Sequence, residues 1–215
     1  MNEATWAQTL SGDPGAELPE FTAAPADPLP LLIAWFAAAE AAGVREPRAV
    51  TLATATSDGV PSARVLLLKS VTERGLLFGS SSGSQKGREL AQNPVANVNV
   101  YWREIMRQVA VTGIVAALSG TESDALFEDR TREARAIAAT SQQSRPLDDA
   151  SDFQRRVADL AASDQPIARP AGWTAYLLVP TAIEFWQGSD DRLHRRLRYD
   201  RLSADAAWTV DRLQP

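Results

Sequence analysis

Short apolar segments rich in valine, isoleucine and threonine recur along this chain with turn-forming residues between them, and that alternation most restricts its fold. Residues 48–56, 63–69 and 75–79 are separated by Ser57-Asp58-Gly59 and by Thr72-Glu73-Arg74-Gly75. This punctuation predicts antiparallel strands joined by hairpins. Residues 95–102 and 107–118 predict two more strands, with Arg103-Glu104 as their turn. The C-terminal part repeats the pattern at 172–179, 182–187, 192–199 and 207–213. Hairpin-linked strands need no crossover helices, and no strand is followed by a glycine-rich loop and a helix, so a dinucleotide-binding parallel sheet is disfavoured.

Single helices interrupt the strands. Leu31, Leu32, Trp35, Phe36 and Ala39 stand at helical spacing within residues 29–43, and Gly43 supplies a stop. Ser82 and Gln85 have the spacing of a capping box and predict a helix over 85–92, closed by Asn93-Pro94. Ser119 with Glu122 opens a helical stretch through Phe127 and Arg130, and Ser151 with Gln154 opens another to about Ala162. The stretch 141–149 is polar and reads as a loop. Residues 1–28, with Pro14, Pro19, Pro25 and Pro28 and no periodicity, read as a flexible N-terminal arm, and 29–215 as one domain. The whole is expected to be a small antiparallel barrel of the α+β class with peripheral helices.

Composition narrows the chemistry. The 215 residues carry 22 Lys and Arg against 27 Asp and Glu, a net charge of −5, which speaks against nucleic acid as a partner. There is no cysteine and one histidine, so thiolate chemistry and multi-histidine metal centres are excluded and no metal is expected. No apolar run approaches the ~18 residues of a membrane span, and no leader-like segment opens the chain. A cytoplasmic protein with no membrane partner is expected.

Of the 22 cationic residues only Lys69 and Lys86 are lysines. A compact ammonium is not interchangeable with a guanidinium at a ligand, so both are candidates for function, with solvated surface lysines as the alternative. Lys69 closes the segment Arg64-Val65-Leu66-Leu67-Leu68-Lys69, and a separation of five puts Arg64 and Lys69 on opposite faces of an ideal strand. One ligand could meet both only at a bend, a bulge or an oligomer seam. Lys86 follows Ser80-Ser81-Ser82-Gly83-Ser84-Gln85 in the first turn of a helix, where a cation opposes the helix dipole unless an anion sits there. Arg192, His194 and Arg196 would share one face of a strand beside Trp186, a cationic stripe suited to a flat anionic ligand; a solvated histidine is the plainer alternative. Gln108 and Gln143-Ser144 could hydrogen-bond a heteroaromatic edge and carry no weight alone.

Taken in order, Arg64 to Lys69, Gly83 to Lys86, Gln108, Gln143-Ser144, Glu184 to Gly188, Arg192 to His194 and the closing Asp211-Arg212-Leu213-Gln214-Pro215 resemble the pyridoxamine 5′-phosphate oxidase family of FMN-binding split barrels. The resemblance runs from about Asp27 to Pro215 and implies a Greek-key-like split β-barrel and a homodimer with FMN at its interface. It implies FMN contacts from Arg64, Val65, Leu66, Lys69, Ser80, Gln85, Lys86, Gln108, Gln143, Ser144, Trp186 and Arg196. Substrate contacts are implied from Lys69, Arg130, Arg192 and His194, with the flavin rather than any side chain carrying the chemistry. Where the vitamin B6 enzymes hold the substrate phosphate with Tyr, Arg and Ser, this chain has Leu126, Arg130 and Ala134, and Gln85 stands where they usually have Arg. Stretches such as Asp27 to Leu32, Val44 to Ala49 and Arg196 to Arg201 are similar instead to the flavin oxidases of phenazine biosynthesis, although Lys69 is typical of the vitamin enzymes. The implied activity is oxidation by dioxygen of a reduced, carboxylated phenazine precursor, with oxidation of pyridoxine or pyridoxamine 5′-phosphate as the alternative.

Overall fold

In a computed structural model, residues 12, 13, 15 and 18–215 are described. Most of the expected arm before Leu18 lies outside them. Residues 18–28 are packed: Phe21 is buried and lies 6.2 Å from the Trp35 ring, and Tyr199 Oη donates to the Pro25 carbonyl at 2.9 Å. Helix α1 (Pro28–Ala41) starts where the Asp27 carboxylate accepts the Leu29 N–H at 3.0 Å. Its Leu32, Trp35, Phe36 and Ala39 form the buried stripe.

Among the described residues nine antiparallel strands form one sheet: β1 (Ala49–Ala55), β2 (Pro61–Leu67), β3 (Ser70–Thr72), β4 (Gly75–Ser81), β5 (Val95–Trp102), β6 (Arg107–Ala117), β7 (Trp173–Gln187), β8 (Arg195–Asp200) and β9 (Thr209–Leu213). The order is β2-β1-β5-β6-β7-β4-β3, with β8 on β7 and β9 on β8. Residues of β2 and β4 line one cavity although four strands separate them in the sheet, so the sheet curls into a half-barrel. Its interior is filled by Phe36 against Trp102, ring centres 4.9 Å apart, and by Trp35 against Phe185 at 5.0 Å.

Five sequence expectations need correction. Residues 172–179 and 182–187 are one strand, β7, because Pro180 sits at a bulge: Thr112 pairs with Ala182 and Gly113 with Pro180. Proline is tolerated there, and a Cβ on Gly113 would lie 2.1 Å from the Val179 carbonyl oxygen, so glycine lets the strands close up. Residues 192–194 precede β8 rather than belong to it, and Arg192 takes φ 65°, so Arg192, His194 and Arg196 are not a stripe on one strand. The cap of α2 (Gln85–Gln92) is Ser84, not Ser82, with its hydroxyl accepting the Gly87 N–H at 3.2 Å.

The fourth correction concerns the helix after β6. Ser119 and Glu122 do form a capping box on α3 (Gly120–Glu128), but the chain breaks at residues 129–131 and restarts, capped by Thr131, as α4 (Arg132–Thr140). Leu126, Arg130 and Ala134 therefore do not share a helix. The last helix, α5 (Ala150–Ala162), is capped by Asp149 rather than Ser151. Phe127, Ala136, Ile167 and Trp173 form a small second core under these helices.

Candidate active site

The largest convergence of chemically capable side chains surrounds a cavity of about 530 Å³ between β2, β4, the start of α2, α4 and the loop at 141–144. Arg64, Lys86 and Arg130 line it, with Ser62, Ser80, Ser81, Gln85, Ser141, Gln143 and Ser144, and no carboxylate does. Three cations in a concave site without a counter-charge on its wall make an anion receptor.

Each cation is held differently. Lys86 is only 8% exposed, and its Nζ lies 3.2 Å from Ser80 Oγ and 3.3 Å from Ser84 Oγ. Burial and then the neighbouring Arg64 push its ammonium below the usual lysine range, against a smaller upward pull from Glu89. Arg64 reaches the Leu52 carbonyl at 3.3 Å, donates to the Thr54 and Ser62 hydroxyls, and lies 3.4 Å from Glu89 Oε2. Arg130 stands over the Trp173 ring at 5.4 Å and donates from Nη2 to the Ala134 carbonyl at 3.0 Å. Its Nε is buried without a hydrogen-bond partner, as are those of Arg107 and Arg135.

The helix end completes the receptor. The Gln85 N–H donates to Ser144 Oγ at 3.1 Å, and Gln143 Oε1 lies 3.4 Å from Ser80 Oγ, so the loop at 141–144 is tied to both β4 and α2. Ser144 holds φ 72°, a conformation uncommon for serine. A Cβ on Gly79 would come within 2.4 Å of the Trp173 ring, so glycine there lets the indole form the cavity wall.

Of the residues singled out in the sequence, Arg64, Val65, Leu66, Ser80, Gln85, Lys86, Arg130, Gln143 and Ser144 line this cavity. Lys69 does not: β2 ends at Leu67, and Lys69 sits in the bend before β3, its N–H donating to the Leu77 carbonyl at 2.8 Å. Leu126 borders a different, mostly apolar cleft with Leu77, Leu118 and Leu177. Gln108, Trp186, His194 and Arg196 form a second group. Gln108 is opposite Trp186 across β6 and β7, and Trp186 is opposite Arg196 across β7 and β8. The His194 ring lies 4.8 Å from the Trp186 ring, and its Nδ1 accepts the Ser189 N–H at 3.1 Å. Arg196 Nε donates to Glu184 at 2.9 Å, while Arg192 is exposed beside this group.

Sequence reasoning missed Thr54, Ser62, Glu89 and Trp173. Glu89 had a signal: it follows Gln85 by four residues and Lys86 by three, so all three lie along one side of α2. Its carboxyl is held down to about 2; burial opposes ionisation, and hydrogen bonds from Ser62, Thr54 and Gln85 together with the Arg64 charge override it.

Residues 36–164 match the family described as pyridoxamine 5′-phosphate oxidase, and residues 173–215 match the pyridoxine 5′-phosphate oxidase C-terminal dimerisation region. The chain belongs to the pyridoxamine 5′-phosphate oxidase family. It is accordingly an oxidoreductase, with the family's split-barrel fold. Within the family it is 40% identical over 208 residues to the dihydrophenazinedicarboxylate synthase of Burkholderia lata, covering 97% of each chain. It is 45% identical over 192 residues to the pyridoxine/pyridoxamine 5′-phosphate oxidase of Gluconobacter oxydans, covering 88% of this chain and 95% of the relative. The crystal structure of PhzG from Burkholderia lata in complex with tetrahydrophenazine-1-carboxylic acid superposes with a TM-score of 0.90 at 40% identity, over 94% of this chain and 98% of that one. No helix among the described residues is long and apolar enough to cross a membrane.

The cavity fits the family's flavin mononucleotide. Its cations and hydroxyls suit a phosphate and a polyhydroxy chain, and the buried Lys86 and half-buried Arg64 stand beside a single carboxylate, which leaves positive charge for a phosphate to neutralise.

Proposed function

We propose that this protein is an FMN-dependent oxidase that dehydrogenates a reduced, carboxylated phenazine precursor toward the aromatic ring system, with dioxygen as electron acceptor. The observation that carries the reading is the apolar wall around Arg130, since an arginine alone serves a phosphate as well as a carboxylate. The Arg130 guanidinium has a buried, unpartnered Nε and stands beside Trp173, Ile137 and Ala138, an arrangement that suits a carboxylate on a flat apolar ring. The likeness to the phenazine enzymes along nearly the whole chain supports the same substrate class.

In this reading Arg64, Lys86, Ser80, Gln85 and Ser144 hold the FMN phosphate and ribityl chain, with the backbone at Val65 and Leu66 beside it. The flavin supplies a two-electron acceptor that no side chain of this chain offers. Gln108, Trp186, Arg196, Arg192 and His194, with Lys69, serve the ring and substrate end across a homodimer seam. The match of 173–215 to a dimerisation region supports that division, since Trp186 and Arg196 belong to it. His194 accepts the Ser189 N–H at Nδ1, so its remaining proton sits on Nε2 and can be donated to a substrate carboxylate. Two hydrogens leave the substrate for each dioxygen reduced to hydrogen peroxide, and no strong general base is required because aromatisation drives the loss.

A second reading, oxidation of pyridoxine 5′-phosphate, is favoured by the 45% identity to the Gluconobacter oxydans relative. Steady-state oxygen uptake with each substrate separates the two. The proposal expects kcat/KM on a reduced phenazine carboxylate to exceed that on pyridoxine 5′-phosphate; the opposite order installs the second reading.

A further inference from the structure

We propose that Glu89 is a positioning residue for the flavin phosphate, holding Arg64, through the Thr54 and Ser62 hydroxyls, in the orientation that receives it. The inference deepens the reading of the cavity as an FMN site and rests on it. Glu89 is not on the cavity wall; it lies beneath, 5% exposed, on the buried side of α2. Its Oε2 accepts from Thr54 Oγ1 at 2.5 Å and from Ser62 Oγ at 2.6 Å, and faces Arg64 Nη2 at 3.4 Å. Its Oε1 accepts from Gln85 Nε2 at 2.9 Å.

The directions of these bonds matter. Each hydroxyl has one proton and spends it on Glu89, so its lone pairs face the guanidinium, and Arg64 donates to both. Carboxylate, hydroxyls and guanidinium thus form a closed network whose proton order is set by the one member that can only accept. A guanidinium on a long flexible stem is expensive to immobilise when ligand binds. Here the network immobilises it in advance, with both terminal nitrogens turned to the Leu52 carbonyl, the two hydroxyls and Glu89, which leaves the phosphate to meet a guanidinium charge already fixed in place.

A plain counter-charge would account for less. Two cations, one buried and one half-buried, flank this carboxylate, yet the Lys86 ammonium makes its hydrogen bonds to Ser80 and Ser84, while Glu89 shares its partners with Arg64. Glu89 therefore organises one cation and leaves the other to the ligand.

The test compares FMN with riboflavin, which lacks the phosphate, by flavin fluorescence titration of the full-length protein. Glu89→Ala is expected to weaken FMN at least about tenfold, the scale of one lost charge-assisted hydrogen bond, and to leave riboflavin affinity unchanged. Glu89→Gln keeps an acceptor for the hydroxyls and is expected to stay within about threefold of wild type for FMN. Should the alanine variant fail to fold, Thr54→Val combined with Ser62→Ala cuts the same network from the other side and is expected to reproduce the selective loss. Equal losses for FMN and riboflavin, an unchanged FMN affinity, or a glutamine variant as damaged as the alanine variant would each overturn the proposal. A wild type that binds riboflavin as tightly as FMN instead refutes the phosphate-site reading beneath it.

Discussion

Replacing Lys86 by methionine isolates the cation that the chain leaves for its ligand. Methionine keeps the length and apolar body of the side chain and removes the ammonium. In the free protein this ammonium is a poor bargain, because burial and Arg64 both work against its charge and only two serine hydroxyls bond it. Loss of those two hydrogen bonds, about 1 kcal/mol each, is offset by relief of a desolvated charge, so the ligand-free protein should shift in Tm by less than about 4 °C. With FMN bound, the balance reverses. A hydrogen bond to a charged group contributes ~1.5–3 kcal/mol, so FMN should bind about 10- to 100-fold more weakly. Fluorescence titration with FMN and riboflavin, beside a thermal melt of the ligand-free variant, reads both halves. An FMN affinity equal to wild type would refute the reasoning, as would an equal loss for riboflavin.

Acid stability should report Glu89. Its folded pKa of about 2 lies below the ordinary 4.5, so its contribution is complete above about pH 4.5 and is lost as pH falls toward 2. That amounts to at most ~3 kcal/mol, and urea unfolding between pH 6 and pH 3 should show a decline that Glu89→Gln lacks. Arg132 donates to the Ala161 carbonyl at 2.7 Å and the Gln165 carbonyl at 2.9 Å, tying α4 to the end of α5, and Arg132→Ala should lower Tm by roughly 4–8 °C for about 2 kcal/mol lost. On the edge strand β2, Val65 and Leu67 are 70% and 57% exposed, an apolar edge that suits a second copy of the chain. Leu67→Asp should therefore shift the protein from dimer to monomer in sedimentation velocity.

The strands were legible where turn chemistry is local. Ser57-Asp58-Gly59 and Arg103-Glu104 announce the β1–β2 and β5–β6 hairpins because a hairpin is specified by its few turn residues. Pro180 misleads by the same logic: a proline usually closes a strand, and only the bulge opposite Gly113 lets β7 run through it. The break between α3 and α4 was hidden because Thr131 lacks a Glu or Gln three residues on and caps through its hydroxyl alone.

At the site, Lys86 stood out by conflict with its own helix, and Arg64 by its place in a motif. Thr54, Ser62 and Trp173 could not, since the first two meet Arg64 only through the pairing of β1 with β2, and Trp173 meets Arg130 only when the turn between α3 and α4 packs on β7. Residue types as ordinary as Thr and Ser acquire meaning from register, here Thr54 opposite Ser62 in the β1–β2 ladder. Gln108, Trp186 and Arg196 stand away from the cavity because they pair at the far end of β7 from Trp173, a consequence of strand length and register.

In the proposed function a flavin held in the cationic cavity oxidises a reduced carboxylated phenazine in preference to a phosphorylated pyridine. It is tested by anaerobic stopped-flow mixing of the FMN-loaded protein with a reduced phenazine carboxylate and, separately, with pyridoxine 5′-phosphate, following the visible flavin absorbance that reports its electron acceptance. Rapid bleaching by the phenazine and slow or no bleaching by the pyridine are expected; rapid bleaching by pyridoxine 5′-phosphate alone would overturn the proposed function.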